Sequence, residues 1–160
     1  MVDVRRAAPA DAAELMVLRG VMLGAMAGEP PLSGDWQRIG ASQLRPRLVA
    51  GSREFAAFVV DSDDGDGLAA CAVGQVDQRL PGPGNPTGSR GYVYNVVTAA
   101  RHRRRGYSRA CMEALLAWFA SVGVTTVDLR ASTDGEPLYA SLGFRPTPNP
   151  TMRLSRPPLR

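Results

Sequence analysis

The spacing of apolar residues changes along the chain between strict alternation, which is typical of strands, and a helical repeat of about 3.6 residues. Strand patterns occupy Val2–Arg6, Glu54–Asp61, Leu68–Leu80, Tyr92–Thr98 and Thr125–Arg130, and an extended segment begins at Phe144. Helix patterns occupy Pro9 to about Gly24, Asp35–Leu44, Gly106–Val122 and Glu136–Leu142. At the first helix, Asp11 with Glu14 three residues later resembles a capping box. This order of elements predicts an α/β fold, an α+β sandwich whose strands run in both directions.

Two glycine-rich segments predict turns between strands. Asp61–Gly67 reads D-S-D-D-G-D-G, which favours a hairpin and makes the strands on either side of it antiparallel. Pro81–Gly91 reads P-G-P-G-N-P-T-G-S-R-G and contains too many helix and strand breakers for regular structure. We interpret this second segment as a surface loop, either a plain connection or a lid on a substrate site.

The stretch from Asn95 to Ala110 combines a strand, an arginine-rich turn and the start of a helix, in the sequence N-V-V-T-A-A-R-H-R-R-R-G-Y-S-R-A. The first N–H groups of a helix lack partners within the helix, and the helix dipole attracts negative charge there. Three consecutive arginines add positive charge, and Gly106 allows a ligand to approach the backbone closely. The stretch therefore predicts a binding site for a phosphorylated ligand.

The positive charge of the chain is concentrated in this turn. Nineteen basic residues, all of them arginine, stand against fifteen acidic residues and give a net charge of +4. Five of the arginines lie within nine residues, and these are Arg101, Arg103, Arg104, Arg105 and Arg109. Without them, fourteen arginines would face fifteen acids, a net charge of −1. Such a local excess favours a ligand the size of a diphosphate over a nucleic-acid backbone, which needs a broad basic face.

Length and the remaining composition predict one soluble globular domain over residues 1–160. A chain of this length buries a sizeable core. The N-terminus lacks the apolar core of a signal peptide, and the longest apolar runs are too short to cross a bilayer. Cys71 and Cys111 lie in apolar surroundings without metal-ligand spacing, so we expect buried free thiols in a reducing compartment and no metal site. We therefore expect a cytoplasmic protein.

Four motifs resemble those of one protein family. Arg103 to Ser108 reads R-R-R-G-Y-S, which is similar to the signature Q/R-x-x-G-x-G/A except for Ser108 at the last position. The preceding N-V-V-T-A-A-R-H-R resembles the strand N-V-Y-T-x-P-x-x-R of a bacterial branch of that family. Leu129–Phe144 ends in L-Y-A-S-L-G-F, and Asn149–Leu154 resembles the branch's closing strand. On these motifs the chain resembles the GNAT superfamily of acyl-CoA-dependent N-acyltransferases. The resemblance implies a mostly antiparallel sheet flanked by helices, a splayed central strand, and acetyl-CoA as cofactor.

The resemblance also implies which residues bind the cofactor. In this family the pyrophosphate of coenzyme A lies on the amides of the signature turn, and such a nest needs no particular side chain. The pantetheine arm pairs with the splayed strand as an added strand would. A backbone N–H near Val97 would face the thioester oxygen and stabilise an oxyanion. The cofactor-binding residues so implied are Val96, Val97, Thr98, Arg103, Arg104, Arg105, Gly106, Tyr107, Ser108, Arg109 and Ser132. Ser132 stands where many relatives have a CoA-contacting asparagine.

Tyr139, in the L-Y-A-S-L-G-F motif, is the one catalytic side chain that the resemblance implies. The tyrosine of this motif often gives a proton to the departing CoA thiolate, which a phenol at hydrogen-bond distance can do. The other interpretation of Tyr139 is a half-buried aromatic residue whose hydroxyl is satisfied. No general base is assigned, because Tyr92–Thr98 contains no acid and Asn95 is too weak a base. Asp77, Glu29 and Asp128 remain unranked alternatives, and we interpret His102 as a loop residue.

The sequence does not identify the acceptor of the acyl group. In this architecture the Leu18–Trp36 region and the Pro81–Gly91 loop flank the acyl end of the cofactor. Met22, Met26, Glu29 and Trp36 either line the acceptor site or pack the helices. The acceptor is a small-molecule amine or a protein amine, and the resemblance leaves a homodimer open.

Two functions from different classes follow. The first is an N-acetyltransferase that moves an acetyl group from acetyl-CoA to a primary amine by direct transfer in a ternary complex. Cys111 is on the packed face of its helix, so it is not suited to carry the acyl group. The alternative is a non-catalytic acyl-CoA-binding regulatory module of the same fold, favoured by the missing strand carboxylate and by Ser132. We expect neither a nucleic-acid partner nor a membrane partner.

Overall fold

Five strands form one mixed sheet in the computed structural model, which describes residues 1–159, and their order in the sheet follows the chain. The strands are β1 (Arg5–Arg6), β2 (Phe55–Asp61), β3 (Leu68–Gln78), β4 (Ser89–Thr98) and β5 (Val127–Leu129). β1 to β4 pair antiparallel with their neighbours, and β5 pairs parallel to β4. The α/β class and the mostly antiparallel sheet predicted from the sequence are thereby confirmed.

Four α-helices accompany the sheet in the described residues. They are α1 (Ala12–Ala27), α2 (Asp35–Leu44), α3 (Tyr107–Ser121) and α4 (Glu136–Ser141), with short 3-10 helices at Pro9–Asp11, Arg45–Arg47 and Ala100–His102. The apolar face predicted for α3 is buried, and its buried residues are Cys111, Met112, Leu115, Trp118 and Phe119. Within residues 1–159, no helix combines the length and the apolar character needed to cross a membrane.

Helices cover both faces of the sheet, as neighbouring residues of β3 show, since successive side chains of a strand point to opposite faces. Val73 of β3 belongs to a core cluster that contains Leu15 of α1. The next residue, Gly74, is close to Leu115 and Phe119 of α3. The α1 side and the α3 side are therefore opposite faces, and β3 and β4 are packed between them.

Two local predictions are wrong in detail. Asp11 does not cap α1 with its side chain; its carboxylate accepts hydrogen bonds from the Ala8 backbone N–H at 2.7 Å and from the Arg5 guanidinium at 2.8 Å. The Arg5 guanidinium of β1 and the Ala8 N–H thus occupy the carboxylate that the capping box would use. The closing strand suggested at Asn149–Leu154 is also not formed, since residues 145–159 have no regular secondary structure.

The chain separates into a first unit, Met1–Arg130, and a smaller second unit that begins at Ala131. The first unit contains the whole sheet, α1, α2 and α3. The second unit contains α4, with Gly143 and Phe144 closing onto its last turn through N–H bonds to Ala140 and Tyr139. The prediction of a single domain over residues 1–160 stays a prediction.

Candidate functional site

β4 separates from β5 halfway along its length. The two strands are paired from Gly91 opposite Val127 to Val93 opposite Leu129, where β5 ends, but β4 continues to Thr98. On its other side β4 stays paired with β3 as far as Thr98 opposite Ala70. One backbone edge of β4 therefore has no strand partner beyond Val93 in the described part of the chain. This is the splayed strand that the sequence predicted.

Alternate backbone groups in the open stretch point to opposite sides. The Ala99 N–H donates to Ala69 O at 2.8 Å, and Val97, two residues earlier, is paired with Cys71, so the backbone groups of both point towards β3. Because backbone groups alternate along a strand, Val96 and Thr98 direct theirs to the open edge. Two of the three strand residues predicted to bind cofactor thus present backbone groups there. For Val97 the cofactor role stays a prediction.

A bulge at Asn95 starts this stretch. Asn95 has φ of 57°, a left-handed conformation, and the β3–β4 register shifts between Cys71 and Val73. The Cys71 thiol donates to Asn95 O at 3.2 Å. The Asn95 side chain is buried, and its Oδ1 has no hydrogen-bond partner among the described residues. A buried acceptor without a partner at the point where the strand opens is suited to hold a polar group of a ligand or a water.

The turn between β4 and α3 leaves backbone amides free. Arg104 and Gly106 are both left-handed, with φ of 65° and 79°, and no side chain caps the N-terminus of α3. Successive amides in such a turn form a concave anion site. A Cβ built on Gly106 would meet nothing within 4 Å, so there is room in front of the turn. The turn therefore leaves space for an anion in front of its backbone amides.

One hydrogen bond joins the strand to the turn. Thr98 Oγ1 at the end of β4 lies 2.6 Å from Ser108 Oγ in the first turn of α3. Arg103 Nε reaches the Thr98 carbonyl oxygen at 3.5 Å. The structure thus brings together strand and turn residues that the sequence predicted to bind one cofactor. Ser108, which departs from the family signature, forms this connection.

The arginines of the turn do not all remain free for a ligand. The hairpin Asp61–Gly67 lies against them: Arg101 Nη1 is 2.6 Å from Asp64, and Arg105 Nη1 is 2.7 Å from Asp63. Arg109 is 3.6 Å from Glu113. Among the described residues, only Arg103 and Arg104 of the five have no carboxylate within ion-pair distance. The sequence showed the acidic hairpin as a turn but gave no signal that it neutralises its arginine neighbours.

His102 anchors the turn in the protein interior. It is buried, and its Nε2 lies 2.9 Å from Ser62 Oγ of the hairpin. The Ser62 hydroxyl donates its hydrogen to Asp64 Oδ1 at 2.5 Å. Ser62 Oγ is therefore the acceptor of the hydrogen bond with the His102 Nε2–H group. We predicted a loop residue for His102, and the structure adds that the side chain fastens the loop to the hairpin.

The three carboxylates that are candidates for the general base are either hydrogen-bonded or ion-paired within the protein, or exposed to solvent. Asp77 accepts from Gln75 Nε2 at 2.6 Å, and Asp128 pairs with Arg90 at 3.1 Å. Glu29 is exposed on the loop after α1. None of the three is set apart as a general base by its surroundings.

The residues considered for the acceptor site divide into two groups. Met22 and Trp36 pack against the core cluster, as the packing interpretation expects, whereas Met26 is exposed.

The two cysteines are buried and free. Burial raises the pKa of Cys71 and raises the pKa of Cys111 to about 12, so neither thiol ionises near neutral pH.

In the second unit, Ser132 and Tyr139 are placed by the start and the middle of α4. Ser132 Oγ accepts the Gly135 N–H at 3.1 Å. Tyr139 is half-buried. The centre of its ring lies 6.0 Å from the centre of the Phe144 ring, in an edge-on arrangement. Burial raises the pKa of Tyr139, so the phenol keeps its proton over a wide pH range. A Cβ on Gly135 would be 2.9 Å from the Tyr139 ring, so the glycine leaves room for that ring.

These features can be compared with known proteins. The model of the acetyltransferase (GNAT) family matches residues 28–144. A GCN5-related N-acetyltransferase from Ralstonia eutropha JMP134 is 28% identical, with a TM-score of 0.78, over 95% of this chain and 97% of that one. A predicted acetyltransferase from Clostridium acetobutylicum, solved with acetyl-CoA, is 22% identical, with a TM-score of 0.80, over 97% and 96%. Glucosamine-6-phosphate N-acetyltransferase from Arabidopsis thaliana is 16% identical, with a TM-score of 0.71, over 96% of each chain. Among curated protein sequences, none matches significantly.

The family match extends from the loop after α1 to Phe144 and so includes the splayed strand, the Gly106 turn and the L-Y-A-S-L-G-F motif. Acetyl-CoA is the cofactor of this family, which confirms the cofactor expected from the sequence. The chain belongs to the acetyltransferase (GNAT) family.

Proposed function

We propose that the protein is an N-acetyltransferase that moves the acetyl group of acetyl-CoA directly to a primary amine while both are bound. The observation that carries this proposal is the continuous path from the open edge of β4, through the Thr98–Ser108 hydrogen bond, to the free amides at Gly106. A strand edge suits the amide-rich pantetheine arm, and the turn suits the pyrophosphate.

The cofactor-binding residues divide the work between backbone and side chains. Backbone groups of Val96 and Thr98 pair with the pantetheine arm, and an N–H of this stretch, near Val97, stabilises the oxyanion, an interaction worth about 3 kcal/mol in other enzymes. Amides from Arg103 to Ser108 hold the pyrophosphate. The side chains of Arg103 and Arg104 supply the positive charge that the acidic hairpin leaves uncompensated. Arg109, Tyr107 and Ser132 stay proposed as cofactor contacts.

Acetyl-CoA, when bound, supplies an activated acetyl thioester. As the amine is acylated, the Tyr139 phenol would give its proton to the departing CoA sulfur and would then regain a proton from solvent. The raised pKa of Tyr139 supports this role because the phenol is protonated when it is needed. The proton lost by the amine passes to water, for which the unpaired Oδ1 of Asn95 is an acceptor. The buried cysteines support transfer without an acyl-enzyme.

The alternative function is a non-catalytic acyl-CoA-binding regulatory module. The observation that favours it is Asn95 in β4, a strand without any carboxylate, together with the engagement of Asp77 and Asp128. A module of this kind would bind acetyl-CoA through the same strand and turn. Turnover is therefore the property that separates the two functions.

The test is thermal unfolding with acetyl-CoA, CoA or NAD, followed by thiol release with a panel of amines. A ligand at one hundred times its Kd adds about 2.7 kcal/mol to stability, which raises the Tm by several degrees. A shift with acetyl-CoA and CoA, but not with NAD, together with amine-dependent thiol release, is the result expected. A shift without thiol release for any amine supports the regulatory module, and no shift with either cofactor overturns both functions.

A further inference from the structure

A cavity of about 430 Å³ opens on the α1 side of the sheet, where β2 begins. Its walls combine the charged side chains of Arg47 and Glu54 with Phe55, Ser52 and Gln75. Phe55 faces Gln75 across the β2–β3 pair, and Gln75 faces Tyr92 across the β3–β4 pair. These residues therefore lie on one face of the sheet and connect the cavity to β4.

The guanidinium of Arg47 is held at this cavity although the residue is exposed. It lies 4.1 Å from the centre of the Phe55 ring, and its Nη2 donates to Gln75 Oε1 at 2.7 Å. Gln75 Nε2 donates to Asp77 at 2.6 Å, which fixes the amide with its oxygen towards Arg47. Within residues 1–159, no carboxylate comes within ion-pair distance of Arg47. Arg47 is thus an oriented cation whose charge is not paired.

Arg47 is also connected to the open part of β4. The Tyr94 hydroxyl donates to the same Gln75 Oε1 at 2.9 Å, so Tyr94 and Arg47 share this acceptor. Tyr94 immediately precedes the bulge at Asn95, where β4 parts from β5. The unpaired cation is therefore linked through Gln75 to the strand on which the acyl group is transferred under the proposed function.

We propose that Arg47 binds the carboxylate of the acceptor, so that the acceptor is a small amine bearing one carboxylate, as an α-amino acid does; this inference rests on the proposed function. A planar, oriented guanidinium binds a carboxylate through two parallel hydrogen bonds. Glu54 lines the same cavity and Asp77 lies beside Gln75, so a phosphate dianion would meet two negative charges. A polycationic acceptor would meet the unpaired charge of Arg47. An acceptor with a single negative charge pairs with Arg47 and meets less repulsion from these carboxylates than a dianion does.

The first experiment compares acetyl transfer to α-amino acids with transfer to the corresponding α-amino acid amides, measured as kcat/KM from thiol release. The amides keep the amine and the side chain but lack the carboxylate. We expect the acids to be preferred by about tenfold or more, the size of a lost charge-assisted hydrogen bond pair. Arg47→Met keeps an apolar cover over Phe55 and should remove this preference by raising KM for the acids. Arg45→Met, an exposed arginine in the same 3-10 helix, is the control and should keep the preference.

The second experiment needs no turnover. Binding of N-acetyl amino acids and of their amides, which are the reaction products, is measured by calorimetry with and without CoA. Tighter binding of the acids, lost in Arg47→Met and kept in Arg45→Met, supports the proposal even where the acetyl-CoA shift fails. Equal binding of acids and amides, or an acid preference that survives Arg47→Met, overturns it. A Tm shift with acetyl-CoA that persists in Arg47→Met shows that such a failure belongs to the acceptor site and not to the cofactor site.

Discussion

The hydroxyl of Ser108, in the first turn of α3, lies 2.6 Å from the hydroxyl of Thr98, the last residue of β4. The GNAT signature has Gly or Ala at the position of Ser108, so this hydrogen bond is a property of this chain and not of the signature. It fastens the end of the open strand to the turn whose amides are free. The serine therefore orients the cofactor turn where a glycine would leave it unattached.

A double-mutant cycle on this pair tests that role. Thr98→Val and Ser108→Ala should each lower the free energy of unfolding by about 1 kcal/mol, since a partly buried hydroxyl loses its partner. The double variant should lose less than the sum, with a coupling of about 0.5–1.5 kcal/mol. Urea unfolding gives the free energy of unfolding of the wild type, the two single variants and the double variant. Strict additivity of the two single losses would show that the hydroxyls act independently.

Gly106→Glu should abolish acetyl-CoA binding, because a carboxylate in front of the turn fills the space and repels the pyrophosphate. The matched control is Gly123→Glu at the C-terminal end of α3. Gly123 is also left-handed, with φ of 83°, and a Cβ there also meets nothing within 4 Å. Both variants carry the same backbone strain, but only the first should lose the thermal shift with acetyl-CoA. Retained affinity in Gly106→Glu contradicts the assignment of the turn.

Tyr139→Phe should lower kcat by more than about tenfold and leave the affinity for acetyl-CoA nearly unchanged, because it removes only the proton donor. The substitution keeps the ring that contacts Phe144. Burial raises the pKa of Tyr139, so the wild-type enzyme should keep its activity to a pH above the ordinary value of about 10. Steady-state kinetics over pH 7–11 measures both effects. Wild-type kcat in the variant would remove Tyr139 from the mechanism.

Acid should destabilise the protein partly through Arg5, whose guanidinium bonds Asp11 and Asp61 at 2.8 Å each. These hydrogen bonds lower the pKa of both carboxyls in the folded protein. The stability they add is present above the unfolded value of about 3.9 and is lost as the pH falls through the lower folded values. Arg5→Met should flatten the fall in stability below about pH 5.

Arg38→Met is the control for that measurement. Arg38 pairs with Asp35 at 2.9 Å, but both side chains are about 70% exposed, so solvent screens the pair. Urea unfolding between pH 7 and pH 2 should give Arg38→Met the same pH dependence as the wild type. If the free energy of unfolding of Arg5→Met depended on pH as that of the wild type does, the Arg5 ion pairs would not contribute to acid destabilisation.

Local features of the candidate site could be predicted from the sequence because they depend on neighbours in the chain. The strand that enters an arginine turn, the glycine before the following helix and the buried face of α3 all follow from residue order and helical spacing. The lengths of the outer strands do not follow from the sequence in the same way. β1 has two residues and β5 three, because their length depends on how far a neighbouring strand extends.

Other features were decided by contacts between distant segments, which periodicity and motif spacing do not encode. Asp63 and Asp64 neutralise Arg105 and Arg101 across about forty residues of chain, so only part of the charge predicted for the turn remains free. Arg47 becomes an unpaired, oriented cation only because Phe55 and Gln75 meet it on folding. The sequence by itself determined the class of cofactor site, since a turn and a helix start are local. The tertiary structure alone decided which charges around that site are compensated, because an ion pair depends on distance in space and not along the chain.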